Sequence, residues 1–297
     1  MSSPWTPDHP VRREHLLAVL AAHRPHQPTA GLTPIGVGWD HAVWRCDDLV
    51  FRYPHQACSL DLAARRVGPL AALARRLPTT TPEPVFVAAP VLDHPGQCVA
   101  YQHIPGQMPA RLGLSRADRV RAAEPLGAVL RCLHGQDLQD SVWEGVPTDA
   151  RPGELALRAQ NGRLRADQLA HTEHATLARQ AADRMADVPA ETTELCLVHG
   201  DLHGGQLLFD DTGALVGVID WDELRVGDPA ADLLLVYGFL PPEARGRFWS
   251  AYGEPVGAAR ARHMALSVGL AILAQAVDAG DVELAREAAL GVEFALA

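Results

Sequence analysis

The chain has 297 residues, 47% hydrophobic and 21% charged, with a formal net charge of −10. Those proportions exclude a mainly disordered chain, a collagen and a coiled coil, and the length exceeds most single cores and points to two lobes. The acidic balance disfavours nucleic acid as a partner, because phosphate-backbone binders present a basic face.

No apolar run reaches the roughly 18–20 residues that span a bilayer, and the opening MSSPWTPDHP has no apolar signal core. Five scattered cysteines (Cys46, Cys58, Cys98, Cys132, Cys196) form no CxxC pair. A cytoplasmic protein with reduced, buried thiols and no membrane partner is expected. All 26 basic residues are Arg; there is no Lys.

In chain order, residues 11–22 read as a short amphipathic helix stopped near Pro25. From Leu32 to Pro54 the texture is that of three short strands, with turns at Gly36–Asp40 and Asp47-Asp48. Residues 58–77 have a helical pattern that Gly68-Pro69 is expected to kink or split. Strand texture returns over 85–103, with a turn at His94-Pro95-Gly96, and Pro105-Gly106 then breaks the chain. Ser115 with Asp118 predicts a helix start, and that helix runs to His134-Gly135 with a bend at Pro125. Further helices are expected over 172–187, from Asp228 to Phe239, and over 242–252, 258–278 and 282–295. Between them lies an island of strand and loop, 195–220. The pattern predicts an α+β chain with a β-rich lobe over 1–103 and a larger helical lobe over 104–297.

Ionisable residues concentrate in that island. An apolar strand (ELCLV) runs into His199-Gly200-Asp201-Leu202-His203-Gly204-Gly205-Gln206, and a second (Val218, Ile219) runs into Asp220-Trp221-Asp222 after a hairpin turn at Asp210–Gly213. Phosphoryl transfer needs such a set: one carboxylate to take the hydroxyl proton, and a carboxylate plus an amide oxygen to hold Mg2+ against the phosphates. Oxygen-only ligands suit Mg2+ rather than zinc. An Asp-x4-Asn loop followed by a second Asp after a hairpin is the kinase arrangement; here the amide is Gln206 rather than Asn.

HGDLHGGQLLF followed by GVIDWDELRVGDPAADL resembles the HGDxHxxN and IDWxxxxxGDPxxDL motifs of the aminoglycoside/macrolide phosphotransferase family. IGVGWDHAVWR is similar to that family's nucleotide-covering turn, VFRYP to its third strand, AYQHIPG to its hinge, and LGAVLRCLHG to the helix behind its catalytic loop. The likeness covers roughly residues 31–240. It implies a two-lobed protein-kinase-like fold, with a small antiparallel-sheet lobe and a larger helical one. The implied activity is transfer of the γ-phosphoryl group of ATP or GTP, with Mg2+, to a hydroxyl of a small molecule, an antibiotic or similar natural product, with a resistance role.

Carried over residue by residue, the resemblance implies Asp201 as the catalytic aspartate and Gln206 and Asp220 as metal ligands. Gly36, Gly38 and the turn Trp39, Asp40, His41 cover the phosphates. Arg52 stands where the family places its phosphate-pairing Lys. The backbone of Gln102, His103 and Ile104 meets the purine, and His199 and Asp228 tie the catalytic loop. His203 and Asp222 are candidates for the acceptor or for the residues around the metal.

The chain departs from the family pattern at Arg52, at Gln206 in place of Asn, and in offering only Asp61 as an acid on helix 58–77. Those departures keep a non-catalytic nucleotide-binding relative open as a second reading, while GDLHG alone also fits a metallophosphoesterase signature whose companion motifs are missing. Simple structural roles are expected elsewhere. Arg65-Arg66 and Arg75-Arg76 read as a solvated helix face, and Trp249 and Tyr252 as core.

Overall fold

The computed structural model describes residues 6–38, 40–60, 62–149, 155–190 and 195–297, with the backbone alone at 62–64. Trp39 and Asp61 lie outside the described residues. The chain divides into two compact units, Met1–Arg75 with Thr81–Ile104, and Arg76–Thr80 with Pro105–Ala297.

The first unit carries α1 (Arg13–His23), β1 (Thr33–Val37), β2 (His41–Cys46), β3 (Leu49–Pro54), most of α2 (Leu62–Arg76), β4 (Pro84–Ala88) and β5 (Cys98–Gln102). The strands form one antiparallel sheet in the order β1-β2-β3-β5-β4. Leu16, Val19 and Leu20 recur at helical spacing on α1 and pack with Phe51, Tyr53, Ala88, Cys98 and Ala100 from the sheet. Alternation along β3 buries Leu49, Phe51 and Tyr53 in that core and turns Arg52 to the opposite face.

Gly68-Pro69 does not split α2, which runs unbroken from Leu62 to Arg76. One missing N–H is outweighed by the buried stripe of Leu70, Leu73 and Leu77. The basic pairs are not one solvated face either. Arg66 is buried beside exposed Arg65, because neighbours on a helix point about 100° apart. Arg76 pairs with Asp140 at 2.6 Å and lies 5.2 Å over the Trp143 ring.

The second unit contains α3 (Pro109–Leu112), α4 (Arg116–His134), α5 (Leu155–Gln168), α6 (Ala175–Arg184), β6 (Cys196–Val198), β7 (Leu207–Phe209), β8 (Leu215–Val218), β9 (Arg225–Gly227), α7 (Ala230–Gly238), α8 (Arg245–Tyr252), α9 (Ala258–Ala279) and α10 (Val282–Leu296). Ser115 and Asp118 cap α4 reciprocally, with N–H to oxygen distances of 3.2 and 2.9 Å. α4 continues through Pro125. α3, α5 and β9 were not legible in the sequence pattern: two of them span three or four residues, and α5 has only three buried positions, Leu155, Ala159 and Gly162.

Two small antiparallel ribbons, β6–β9 and β7–β8, carry the loop island. Each is extended by backbone pairing. Gln107 and Phe209 exchange N–H···O bonds of 2.8 and 2.9 Å, and Val218 N–H donates to Thr80 at 3.0 Å, so the hairpin is held on both edges. Thr148 flanks β9 in the same way. Among the described residues no helix is long and apolar enough to cross a membrane. The five cysteines are unbridged, and Cys58 is exposed rather than buried.

The α4–α8 contact depends on Gly127, where a Cβ would lie 2.5 Å from the Phe248 carbonyl oxygen. Gly127→Ala is expected to destabilise by about 1–3 kcal/mol, as overpacking does. Chemical denaturation measures it.

Candidate active site

β6 delivers His199 and Gly200, and the chain must turn sharply there. Gly200 has φ +91°, and a Cβ on it would lie 2.1 Å from Arg225 Nη1 and 2.4 Å from the Glu223 carbonyl oxygen. Only glycine fits that backbone and that approach. Arg225, on β9, fills the space and donates from Nη2 to the Gly200 carbonyl at 3.1 Å and from Nη1 to the Glu223 carbonyl at 3.1 Å.

The His199 ring joins the two loops. Its Nε2 is 2.9 Å from the Ile219 carbonyl oxygen, which can only accept, so Nε2 carries the proton. Nδ1 is then the acceptor that receives the Asp201 N–H at 3.4 Å. The ring packs at a tilt against Trp221, centroids 4.5 Å apart, and the indole N–H donates to the Val218 carbonyl at 2.9 Å. One side chain thus sets both the backbone of Asp201 and the residue before Asp220. Ile219 N–H closes the link by donating to the Gln206 carbonyl at 2.9 Å.

Beneath the loop lies Asp232, fully buried in the first turn of α7. Its two oxygens accept the His199 and Gly200 N–H groups, each at 2.8 Å, and Oδ2 also meets His134 Nε2 at 3.1 Å. Nδ1 of His134 lies 2.8 Å from the Tyr252 hydroxyl. Burial alone would raise this carboxyl, but the His134 hydrogen bond and charge and the backbone donors outweigh it and hold the acid below its ordinary value.

Asp228 is therefore not the tie of the catalytic loop. It accepts the Ala230 N–H at 2.9 Å at the start of α7 and pairs with Arg260 of α9 at 2.8 Å. The loop tie falls to Asp232 of the same GDPAADL run. A signal was present, since a lone carboxylate inside the apolar helix AADLLLVYG must find buried partners. Arg225, His134 and Tyr252 had no such signal. Tyr252 is more than core filling, since its hydroxyl ends this chain of hydrogen bonds.

Asp201 is exposed at the surface, although the protein packed around its carboxyl withdraws part of its hydration. That desolvation is the main reason its carboxyl is pushed up to about 6. The charges of Asp220 and Glu223 push the same way, and His199 and Arg225 oppose them. Asp220 is thus within electrostatic reach of Asp201. It adopts a left-handed backbone, φ 66° and ψ 60°, at the entry to the Trp221–Glu223 turn, a conformation that Asp tolerates better than most residues.

Gln206 ends the loop, buried, and its side-chain Oε1 makes no hydrogen bond among the described residues. An unpaired buried acceptor costs about 1–3 kcal/mol. Its neighbour through Ile219 is a carboxylate. A hard cation would satisfy the amide oxygen and offset the charge, so the residues present fit Mg2+.

His203 caps the short turn Gly204–Gln206, and its Nδ1 accepts the Gly205 N–H at 3.0 Å. Burial, then the charge of His199, push its pKa down to about 4, so the ring is neutral at pH 7 and Nδ1 is not available to a metal. Asp222 is buried in the turn after Asp220, and Glu223 is exposed.

In the first unit, Gly36 and Gly38 are exposed at the β1–β2 turn, which the Gly38 N–H closes on the His41 carbonyl at 2.8 Å. His41 is buried, with Nδ1 2.9 Å from Asp40 Oδ1. Its side chain belongs to the sheet rather than the turn surface. Arg52 is half-buried in mid-β3 between Val43 and Val99. The N–H groups of Gln102 and His103 are already committed, to Glu83 at 3.0 Å and Asp48 at 2.7 Å. Among the described residues the Ile104 N–H makes no backbone hydrogen bond.

The sequence profile of the phosphotransferase enzyme family matches residues 31–266. The chain belongs to that family. Within it, the chain is 33% identical over 108 residues to viomycin phosphotransferase of Streptomyces vinaceus, a stretch covering 35% of this chain and 33% of that protein. It is 33% identical over 107 residues to the uncharacterized protein YcbJ of Bacillus subtilis (strain 168), covering 32% and 34%. The chain thus spans about a third of the length of these curated relatives. The fold is that of solved antibiotic phosphotransferases. Aminoglycoside 2'-phosphotransferase-IIIa in its GDP complex superposes with a TM-score of 0.67 at 17% identity, over 96% of this chain and 99% of that one. Macrolide 2'-phosphotransferase MphH from Brachybacterium faecium does so with a TM-score of 0.59 at 24% identity, over 94% and 97%. The α+β, protein-kinase-like architecture follows from these matches.

Two outcomes test the site. Asp232→Ala strands two backbone N–H groups and His134, and is expected to cost about 3–5 kcal/mol in denaturant unfolding. For Asp201 the folded-state value, about 6, lies above the ordinary 3.8. The folded protein therefore holds this proton more tightly, and stability falls as pH rises through that window. Asp201→Asn removes the penalty. Its melting temperature is expected to exceed wild type by a few degrees at pH 7, discounted for the side chain's contact with water, and to match it below about pH 4.

Proposed function

We propose that this family member is a small-molecule kinase that transfers the γ-phosphoryl group of ATP or GTP to a hydroxyl of an antibiotic or similar natural product, and so confers resistance. The observation that carries the reading is the buried, unpartnered Oε1 of Gln206, one backbone hydrogen bond away from the residue before Asp220. Family membership, the viomycin phosphotransferase relative and the fold support it.

Asp201 is the catalytic residue in this reading. Its carboxylate takes the proton of the acceptor hydroxyl and aims the oxygen in line, a task worth roughly 10²–10⁴ in rate. Gln206 and Asp220 hold Mg2+, which when bound offsets the charge of the triphosphate. His199 fixes the Asp201 backbone, and Asp232 fixes His199. The turn of Gly36, Gly38, Trp39, Asp40 and His41 covers the phosphates, through its backbone where His41 is concerned. Arg52 supplies the positive charge that the family takes from Lys, as a planar fork rather than a point charge. Since the Gln102 and His103 donors are spent inside the first unit, the purine is met by their carbonyls and by the Ile104 N–H. His203 positions Gly205, and Asp222 supports the metal side of the turn.

Arg52 and Gln206 favour a second reading, a relative that binds nucleotide without turnover. One experiment separates the two. The protein is incubated with Mg2+ and ATP or GTP across a panel of hydroxyl-bearing antibiotics, and products are sought at a mass gain of roughly 80 Da, one PO3H unit. Product is expected, with Asp201→Ala reducing it at least ~100-fold while circular dichroism is unchanged. Thermal stabilisation by Mg2+–nucleotide with no product across the panel selects the second reading, and near wild-type turnover by Asp201→Ala overturns the assignment of the base.

A further inference from the structure

Next to the catalytic loop, wholly within the second unit, lies a recess of ≈ 60 Å3 walled by α7, α9, α10 and residues His203 to Gly205. Its origin is the closeness of the three helices. A Cβ on Gly291 would lie 2.5 Å from the Gly238 carbonyl oxygen, and one on Gly269 would lie 2.8 Å from Val292 Cγ2. Gly238, Gly269 and Gly291 carry no side chains where the helices meet, so close backbone packing leaves a hollow beside them, edged by Leu234, Val268, Ile272 and Leu284. Among the described residues its ionisable wall groups are His203 and Glu287.

Glu287 is not a bare negative charge. Its Oε2 is paired at 2.6 Å with Nη2 of Arg119, an arginine only 2% exposed that lies 4.7 Å over the Phe239 ring. Its Oε1 makes no further hydrogen bond among the described residues and lies 3.7 Å from where a Cβ of Gly204 would stand. The absent side chain at Gly204 thus leaves a neutralised but open acceptor atom facing the loop that carries Asp201. A polycation gains little from a carboxylate already neutralised by a buried guanidinium. An apolar group gains by leaving water. The hollow is well under the roughly 150 Å3 that takes a benzene ring, so it suits a few carbons and not a ring system.

Resting on the kinase reading, we propose that this recess receives a short branched aliphatic arm of the acceptor. An O–H or N–H on the arm donates to Glu287 Oε1, so the part of the acceptor that enters this recess is short, apolar and uncharged.

The test is a binding measurement that needs no turnover. 3-Methylbutan-1-ol and spermidine are titrated into the full chain while the methyl resonances of Ile272 and Leu284 are followed by NMR. The alcohol is expected to shift both, saturably, and spermidine neither. Val268→Phe fills the hollow and is expected to weaken the alcohol at least about tenfold. Ile272→Ala, read at Leu284, enlarges it and is expected to shift preference toward a longer branched alcohol. Silent methyls with the alcohol, equal response to spermidine, or unchanged alcohol binding in folded Val268→Phe each overturn the proposal. Because no nucleotide is present, those results are independent of phosphoryl transfer. A saturable alcohol site in a protein that yields no phosphorylated product would overturn the kinase reading instead, and with it the identity of the occupant as an acceptor.

Discussion

A single buried carboxylate organises the second unit's chemistry. Asp232 sits fully buried in the first turn of an apolar helix, where an unpaired charge would be prohibitively costly. It is tolerable because three groups converge on it, two backbone N–H donors of the loop and the ring of His134, which is itself held from behind by the Tyr252 hydroxyl. The dependence runs both ways. The loop donors would be orphaned without Asp232, and Asp232 would be intolerable without the loop. From this clasp His199 takes its orientation, and from His199 the backbones leading to Asp201 and Asp220 take theirs.

The arrangement divides labour between rigid and strained parts. His199, Trp221 and Asp232 are buried and fully engaged, whereas Asp201 is held with a raised pKa, Asp220 with a left-handed backbone and Gln206 with an unpaired oxygen. These three costs fall on the three residues read as base and ligands. The Gln206 oxygen, buried without a hydrogen bond among the described residues, is a group prepared for something that is to bind. The Glu287–Arg119 pair follows the same logic with the opposite result. Its charges cancel inside the protein, leaving a wall that is polar at one atom and apolar elsewhere.

Much of the fold was legible because its signals are local. Three strands between Leu32 and Pro54, the hairpin at Asp210–Gly213, the Ser115–Asp118 cap and the long helices of the last fifty residues each follow from periodicity and turn chemistry. What failed was decided by tertiary context. Gly68-Pro69 reads as a break, yet a buried leucine stripe carries the helix through it. Arg66 reads as solvated and is buried. β9 is three residues long and exists only because β6 lies beside it. In the site, Asp201, Gln206 and Asp220 were visible as a spacing. Asp232 was passed over for Asp228, four residues earlier in the same motif, because either Asp could cap or clasp and only the register of α7 decides which one points under the loop.

The central claim is that Asp201, Gln206 and Asp220 form one cation-dependent centre. It is tested most directly by titrating Mn2+ with a non-hydrolysable nucleoside triphosphate into isotope-labelled protein and watching paramagnetic broadening. The account predicts that the Gln206 side-chain amide and the Asp220 backbone resonance broaden first, at stoichiometric metal, and recover when Mg2+ is added. Broadening that begins elsewhere, or that leaves the Gln206 amide sharp at saturation, would contradict it.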